Sequence, residues 1–153
     1  MSYGKTTTIS VPVPGSNMYL VDTSVWVSYI NGNDTPAVEF LDTLLLTPMS
    51  VGITDLIYME ILQGAKSEAA YKKLQKYFST QKFYRFTDPR SSYEKAAFIY
   101  LSCRRRGITI RSSIDCLIAQ CALENELILL HHDKDYRNLE KVIPRLRQKH
   151  FLN

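Results

Sequence analysis

Four carboxylates stand where a carboxylate is costly. Asp22 ends the apolar run Tyr19, Leu20 and Val21 in "YLVDTSVWVSYI", and Asp133 follows "LILLHH" in the same way. Glu60 shares a helical stripe with Leu56 and Ile57, four and three residues earlier, which sets it at or beside the face due for burial. Asp115 lines up with Ile118, Ala119 and Ala122 at three, four and seven residues. A lone buried carboxylate survives only with a partner, a proton or a metal. Each acid also has an ordinary structural explanation. Asp22 and Asp133 suit helix N-caps, Asp115 suits the third helical position behind a Ser112 cap, and Glu60 suits a stripe margin that reaches solvent. Taken together the four are harder to explain so, because like charges brought close must be neutralised. A hard divalent cation does that, and oxygen-only ligands suit magnesium or manganese. The chemistry this allows is phosphoryl transfer to water, with the attacking water activated and the charge on phosphorus stabilised.

Rival chemistries find little support. There is no Ser/His/Asp nucleophile order, no G-x-S-x-G, no Walker loop and no G-x-G-x-x-G. "HHDKD" invites a zinc site through His131 and His132, but neighbours on an extended chain point to opposite sides and rarely share one ion.

The elements that must hold these acids alternate. A short strand at 18–21 leads to a helix over about 24–31 closed by Asn31, Gly32 and Asn33, and "TPAVEFLDTLLL" gives a second helix. "SVGIT" reads as a buried strand, Thr54 caps "DLIYMEILQGA", and Ser67 caps "EAAYKKLQKYFST" with Lys72, Lys73 and Lys76 on its solvated face. "KFYRF" reads as a third strand. A long helix runs from Asp88 and Pro89 through "SCRRR" to Gly107, Ser112 or Ser113 caps "IDCLIAQCALEN", "LILLH" is another strand, and a short helix and a basic tail follow. This alternation predicts an α/β domain with a mainly parallel sheet covered on both faces. Ligands bind such sheets at the carboxyl ends of the strands, the edge to which both Asp22 and Asp133 belong.

The totals agree with one domain. The 153 residues are 45% apolar and 22% charged, with apolar runs too short for a membrane span and no secretory signal, so a cytoplasmic protein is expected. Cys103, Cys116 and Cys121 lack C-x-x-C spacing and read as reduced core residues. Residues 1–17, rich in Thr, Ser, Gly and Pro, read as a flexible extension or added segment, with "TTTISVPV" a candidate edge strand; the domain proper spans 18–153. The net charge of +4 is mild, and it points to a nucleic-acid partner only if several acids are withdrawn into one cluster.

"LVDTSVWVSYI", "TDLIYMEILQGA", "RSSIDCLIAQCAL" and "LLHHDKDYRNLEKV" resemble, in order and spacing, the four motif blocks of PIN-domain ribonucleases, and among them the VapC-type toxins of bacterial toxin–antitoxin pairs. The resemblance spans Met18 to the C-terminus and implies a PIN-like α/β/α sandwich with Asp22, Glu60, Asp115 and Asp133 as the acidic quartet around Mg2+ or Mn2+. It gives Ser24 a supporting hydroxyl role. Asp135 matches a second acidic position of the final block, so the choice between Asp133 and Asp135 as the fourth metal ligand stays open. It further implies endonucleolytic cleavage of RNA (tRNA, rRNA or mRNA), inhibition of translation, a cognate antitoxin and a homodimer.

Arg111, just before "SSID", is the basic residue best placed to meet phosphate near the acids, whereas Arg104, Arg105 and Arg106 suit the C-terminal end of a helix. A catalytically silent PIN-like module that binds RNA or protein is the alternative, disfavoured because all four acids are present. A haloacid-dehalogenase-like phosphatase would want an Asp where Ser24 stands, and a receiver domain would pair its acids near the first strand.

Overall fold

The structure, a computed structural model, describes residues 17–153, so the expected N-terminal edge strand lies outside the described residues. Five short strands form one sheet: β1 (Tyr19–Val21), β2 (Val51–Ile53), β3 (Lys82–Phe83), β4 (Ile128–Leu130) and β5 (Gln148–Lys149). Their order is β3-β2-β1-β4-β5 and every pairing is parallel. Leu20, Val21, Ile53, Leu129 and Leu130 have no exposed surface. Such continuous apolar burial is what a parallel sheet with helices on both faces requires.

The helices are α1 (Thr23–Ile30), α2 (Pro36–Leu45), α3 (Asp55–Gln63), α4 (Glu68–Phe78), α5 (Pro89–Arg105), α6 (Ser113–Glu124) and α7 (Lys134–Asn138). α1 packs on α2 and α3, and α3 on α4, while α5 packs most extensively on α6, with a smaller contact joining α3 to α6. The chain steps outward from β1 through β2 to β3 and then returns to β4 on the other side of β1. Right-handed crossovers made in opposite directions lay their helices on opposite faces. The direction changes between β1 and β4, the place where an open α/β sheet leaves a crevice at its carboxyl edge.

Helix starts follow local chemistry. Thr35, Thr54, Ser67 and Asp88 accept hydrogen bonds from the first-turn amides of their helices, and Pro36 and Pro89 occupy first positions where no amide hydrogen is needed. Gly107 closes α5 with φ +68°, a conformation glycine adopts without strain. Lys72, Lys73 and Lys76 are exposed, as are Arg104, Arg105 and Arg106 at the end of α5. The three cysteines are free and buried.

Two strands differ from expectation. "KFYRF" supplies only a two-residue β3, and the basic tail contains β5, whose Gln148 and Lys149 pair with Leu129 and Leu130. No helix among the described residues is long and apolar enough to cross a membrane.

Gly52, in the middle of β2, lies beneath the Tyr84 ring. A Cβ there would stand 2.1 Å from Tyr84 Cε2 and 3.0 Å from the Lys82 carbonyl oxygen. Gly52→Ala therefore pushes the ring off the sheet. We expect a loss of about 1–3 kcal/mol, the usual cost of overpacking, read as a lower urea midpoint with an unchanged slope.

Candidate active site

β1 delivers Asp22 to the carboxyl edge. The parallel register carries Val21 beside Leu130, and the Asp22 amide donates to the Leu130 carbonyl at 2.9 Å, so the ends of β1 and β4 lie level. Asp22 then leaves the strand with extended backbone and caps α1, accepting from the Ser24 amide at 3.0 Å. The Ser24 hydroxyl donates to the same oxygen at 2.7 Å and accepts from the His132 amide at 3.0 Å. One serine thus ties the start of α1 to the segment after β4. Asp22 keeps only 5% of its surface. Burial pushes its carboxyl above the usual range, against the lowering pull of the Ser24 and Tyr136 hydrogen bonds.

Glu60 projects from α3 and accepts from the Thr23 hydroxyl at 2.9 Å. It is half-buried, and desolvation, followed by the Asp22 charge, raises its pKa. Asp115, in the first turn of α6, is strongly perturbed. Burial first, then the charges of Asp22 and Asp133, push it up to about 7. Asp133 caps α7, accepting from the Asp135 amide at 2.9 Å.

Tyr136 escaped the sequence reading. Its side chain is wholly buried and its hydroxyl lies 3.1 Å from Asp22 Oδ1 and 3.2 Å from Asp115 Oδ1. Burial and the two facing carboxylates hold the phenol well above its usual range, so it remains a proton donor. The available signal was the chemistry of the residue itself, since a buried tyrosine hydroxyl needs a polar partner.

The histidines of "HHDKD" do separate. His132 is exposed, whereas His131 is buried, with Nδ1 accepting from the Asp133 amide at 3.1 Å and Nε2 2.8 Å from Gln148 Oε1. Burial lowers its pKa to about 4, so it is neutral and both ring nitrogens are engaged. Asp135 is also engaged: its Oδ2 accepts from the Arg111 amide and from Arg111 Nε, each at 3.1 Å. The same guanidinium reaches Asp133 Oδ1 at 3.3 Å through Nη2. Arg111 also lines a surface cleft of about 580 Å³ with Tyr93, Tyr100, Ser113 and Leu117.

The fold therefore gathers Asp22, Glu60, Asp115 and Asp133 at one edge of the sheet, close enough for the other three to act on the Asp115 carboxyl. Among the described residues, no three His, Cys, Asp or Glu side chains already converge as a metal-binding group. The donor set nevertheless suits a hard divalent cation. All its ligating atoms are oxygens, and three of its carboxyls are pushed upward, first by burial and, for Glu60 and Asp115, also by neighbouring carboxylate charge.

Comparison with known proteins gives one consistent answer. The PIN domain family matches residues 19–142. Ribonuclease VapC11 of Mycobacterium tuberculosis and VapC ribonuclease Mb1587 of Mycobacterium bovis are each 32% identical over 126 residues, covering 82% of this chain and 93% of the relative. Among solved structures, VapBC2 from Rickettsia felis bound to a promoter DNA fragment superposes with a TM-score of 0.65 at 17% identity, covering 88% of this chain and 99% of that one. VapBC-1 from nontypeable Haemophilus influenzae gives 0.65 at 19% identity, covering 87% and 97%.

Proposed function

Because this chain belongs to the PIN domain family, we propose that it is a Mg2+- or Mn2+-dependent endoribonuclease, a toxin that hydrolyses RNA phosphodiester bonds and is neutralised by a cognate antitoxin. The observation that carries the reading is the crowding of Asp22, Glu60 and Asp133 around Asp115, whose carboxyl is pushed up to about 7. Such a cluster is poorly suited to bind RNA unaided, since it repels phosphate. With a divalent cation bound, it attracts phosphate, and the cation supplies an activated water and charge stabilisation at phosphorus.

Asp22 and Asp115 would hold the cation, with Glu60 and Asp133 completing the oxygen set. Ser24 fixes the Asp22 carboxylate through its 2.7 Å hydrogen bond. Asp135 anchors Arg111 through its Oδ2 oxygen, and Asp133 Oδ1 meets the same guanidinium as well as the Asp135 amide, so each acid of the final block has one oxygen left for a cation. Arg111 in turn faces the cleft that Tyr93 and Tyr100 line, a basic and aromatic surface suited to an RNA backbone and its bases. The RNA relatives to be tried are tRNA, rRNA and mRNA, and cleavage of any of them would inhibit translation in the cytoplasm. Homodimerisation accompanies this reading.

The test is direct. Purified protein cleaves RNA with Mg2+ or Mn2+, leaves 5′-phosphate ends, and stops in EDTA. Cleavage undiminished by EDTA would sink the mechanism. A catalytically silent binding module, favoured by the incomplete convergence of the acids, predicts RNA binding with no cleavage under any metal.

A further inference from the structure

We infer that Tyr136 is a positioning residue that sets Asp22 and Asp115 as a ready pair of carboxylates for a divalent cation. This rests on the metal-dependent reading above and adds to it a residue outside the acidic set. The two acids come from different elements, the end of β1 and the first turn of α6, and their like charges drive them apart. Asp22 has Ser24 as a second donor, whereas among the described residues Tyr136 is the one group that hydrogen-bonds Asp115. A phenol has a single proton, so one hydroxyl is shared between two carboxylate oxygens at 3.1 and 3.2 Å. Sharing holds both oxygens at a fixed distance from the same point.

That point is itself fixed. Tyr136 has no exposed surface, and its ring lies 5.1 Å from the His131 ring, which Gln148 of β5 holds in turn. The hydroxyl reaches the acids from the interior, while the partly buried Asp115 keeps an open side for a cation. Hydrogen bonds made behind metal ligands orient them, and their loss costs about 10- to 100-fold in metal affinity.

The experiment measures Mn2+ binding to the full chain without RNA, by calorimetry and by the paramagnetic resonance signal of free Mn2+. Tyr136→Phe keeps the ring and removes the hydroxyl. We expect it to bind Mn2+ about 10- to 100-fold more weakly, with the RNA cleavage rate recovering toward the wild-type value at saturating Mn2+, a split that general damage to the fold does not produce. In an Asp115→Ala background, which removes the oxygen that Tyr136 meets on α6, the same substitution should change Mn2+ affinity by a smaller factor, because only its hold on Asp22 remains. Tyr136→Leu, measured alongside with melting curves in EDTA, serves if the phenylalanine variant does not fold. Equal or tighter Mn2+ binding by the folded hydroxyl-free variant overturns the inference alone. A wild-type chain that binds no Mn2+ overturns the metal-dependent reading and the inference with it.

Discussion

Asp22→Asn and Asp115→Asn should each reduce RNA cleavage by at least about a hundredfold, the low end of the cost of removing one preorganised charged group from a reacting centre. Both variants should stay folded, for different reasons. Asn is as good an N-cap as Asp, so Asn at position 22 can still accept from the Ser24 amide and hydroxyl. Asn at position 115 retains an oxygen for Tyr136 and loses a charge the site is poorly able to hold. The Asp115 variant also carries a pH signature in EDTA. The native Asp115 carboxyl keeps its proton up to about 7, against 3.8 for an ordinary aspartate. Between those values the native state binds more protons than the unfolded one, so stability falls as pH rises through that interval and levels off above it. Asp115→Asn should therefore show a shallower fall in melting temperature from pH 5 to pH 8 than the wild type. A variant that cleaves RNA normally would remove Asp115 from the mechanism, and one that keeps the full wild-type slope would move the electrostatic strain to another group.

Trp26→Ala should cost about 3–5 kcal/mol, the range for removing a large aromatic from a core. Trp26 has no exposed surface and packs edge-on against Phe78 at 4.9 Å, Tyr29 at 5.7 Å and Tyr77 at 6.5 Å. It is the pin that joins α1 to α4, four residues after Asp22. Trp26→Phe should cost much less than the alanine variant, because the indole Nε1 is buried with no hydrogen-bond partner among the described residues and its removal relieves a desolvated donor. Urea titrations of the two variants make the comparison. Equal losses would mean that the indole nitrogen earns its place through a partner such as an ordered water.

The parallel α/β arrangement and the four acids were readable because each left a mark in one dimension. Strand-like runs alternate with capped helical stripes, and Glu60 and Asp115 break the stripes they belong to. What escaped depends on contacts with no local mark. β5 is two residues in a basic stretch, and its pairing with β4 uses backbone groups that every residue carries. Tyr136 meets Asp22 across 114 residues and lies in a five-residue helix too short to show a period. Arg111 matched the acidic edge by position, but its hold on Asp135 follows from how the turn before α6 meets α7, which spacing alone does not reveal.

The place of β1 in the middle of the sheet bears on the timing of synthesis. A ribosome that has built the chain as far as Asn125 has already made Asp22, Glu60 and Asp115, yet not Asp133, Tyr136 or the strand that lies beside β1. Until β4 emerges, one edge of the central strand has no partner and Asp115 has no hydroxyl to meet. Domains fold as units, and pairings this distant in sequence form late. The acidic edge is therefore complete only once the last segment of the chain has docked against β1 and α6, so the site is among the final features of the domain to form.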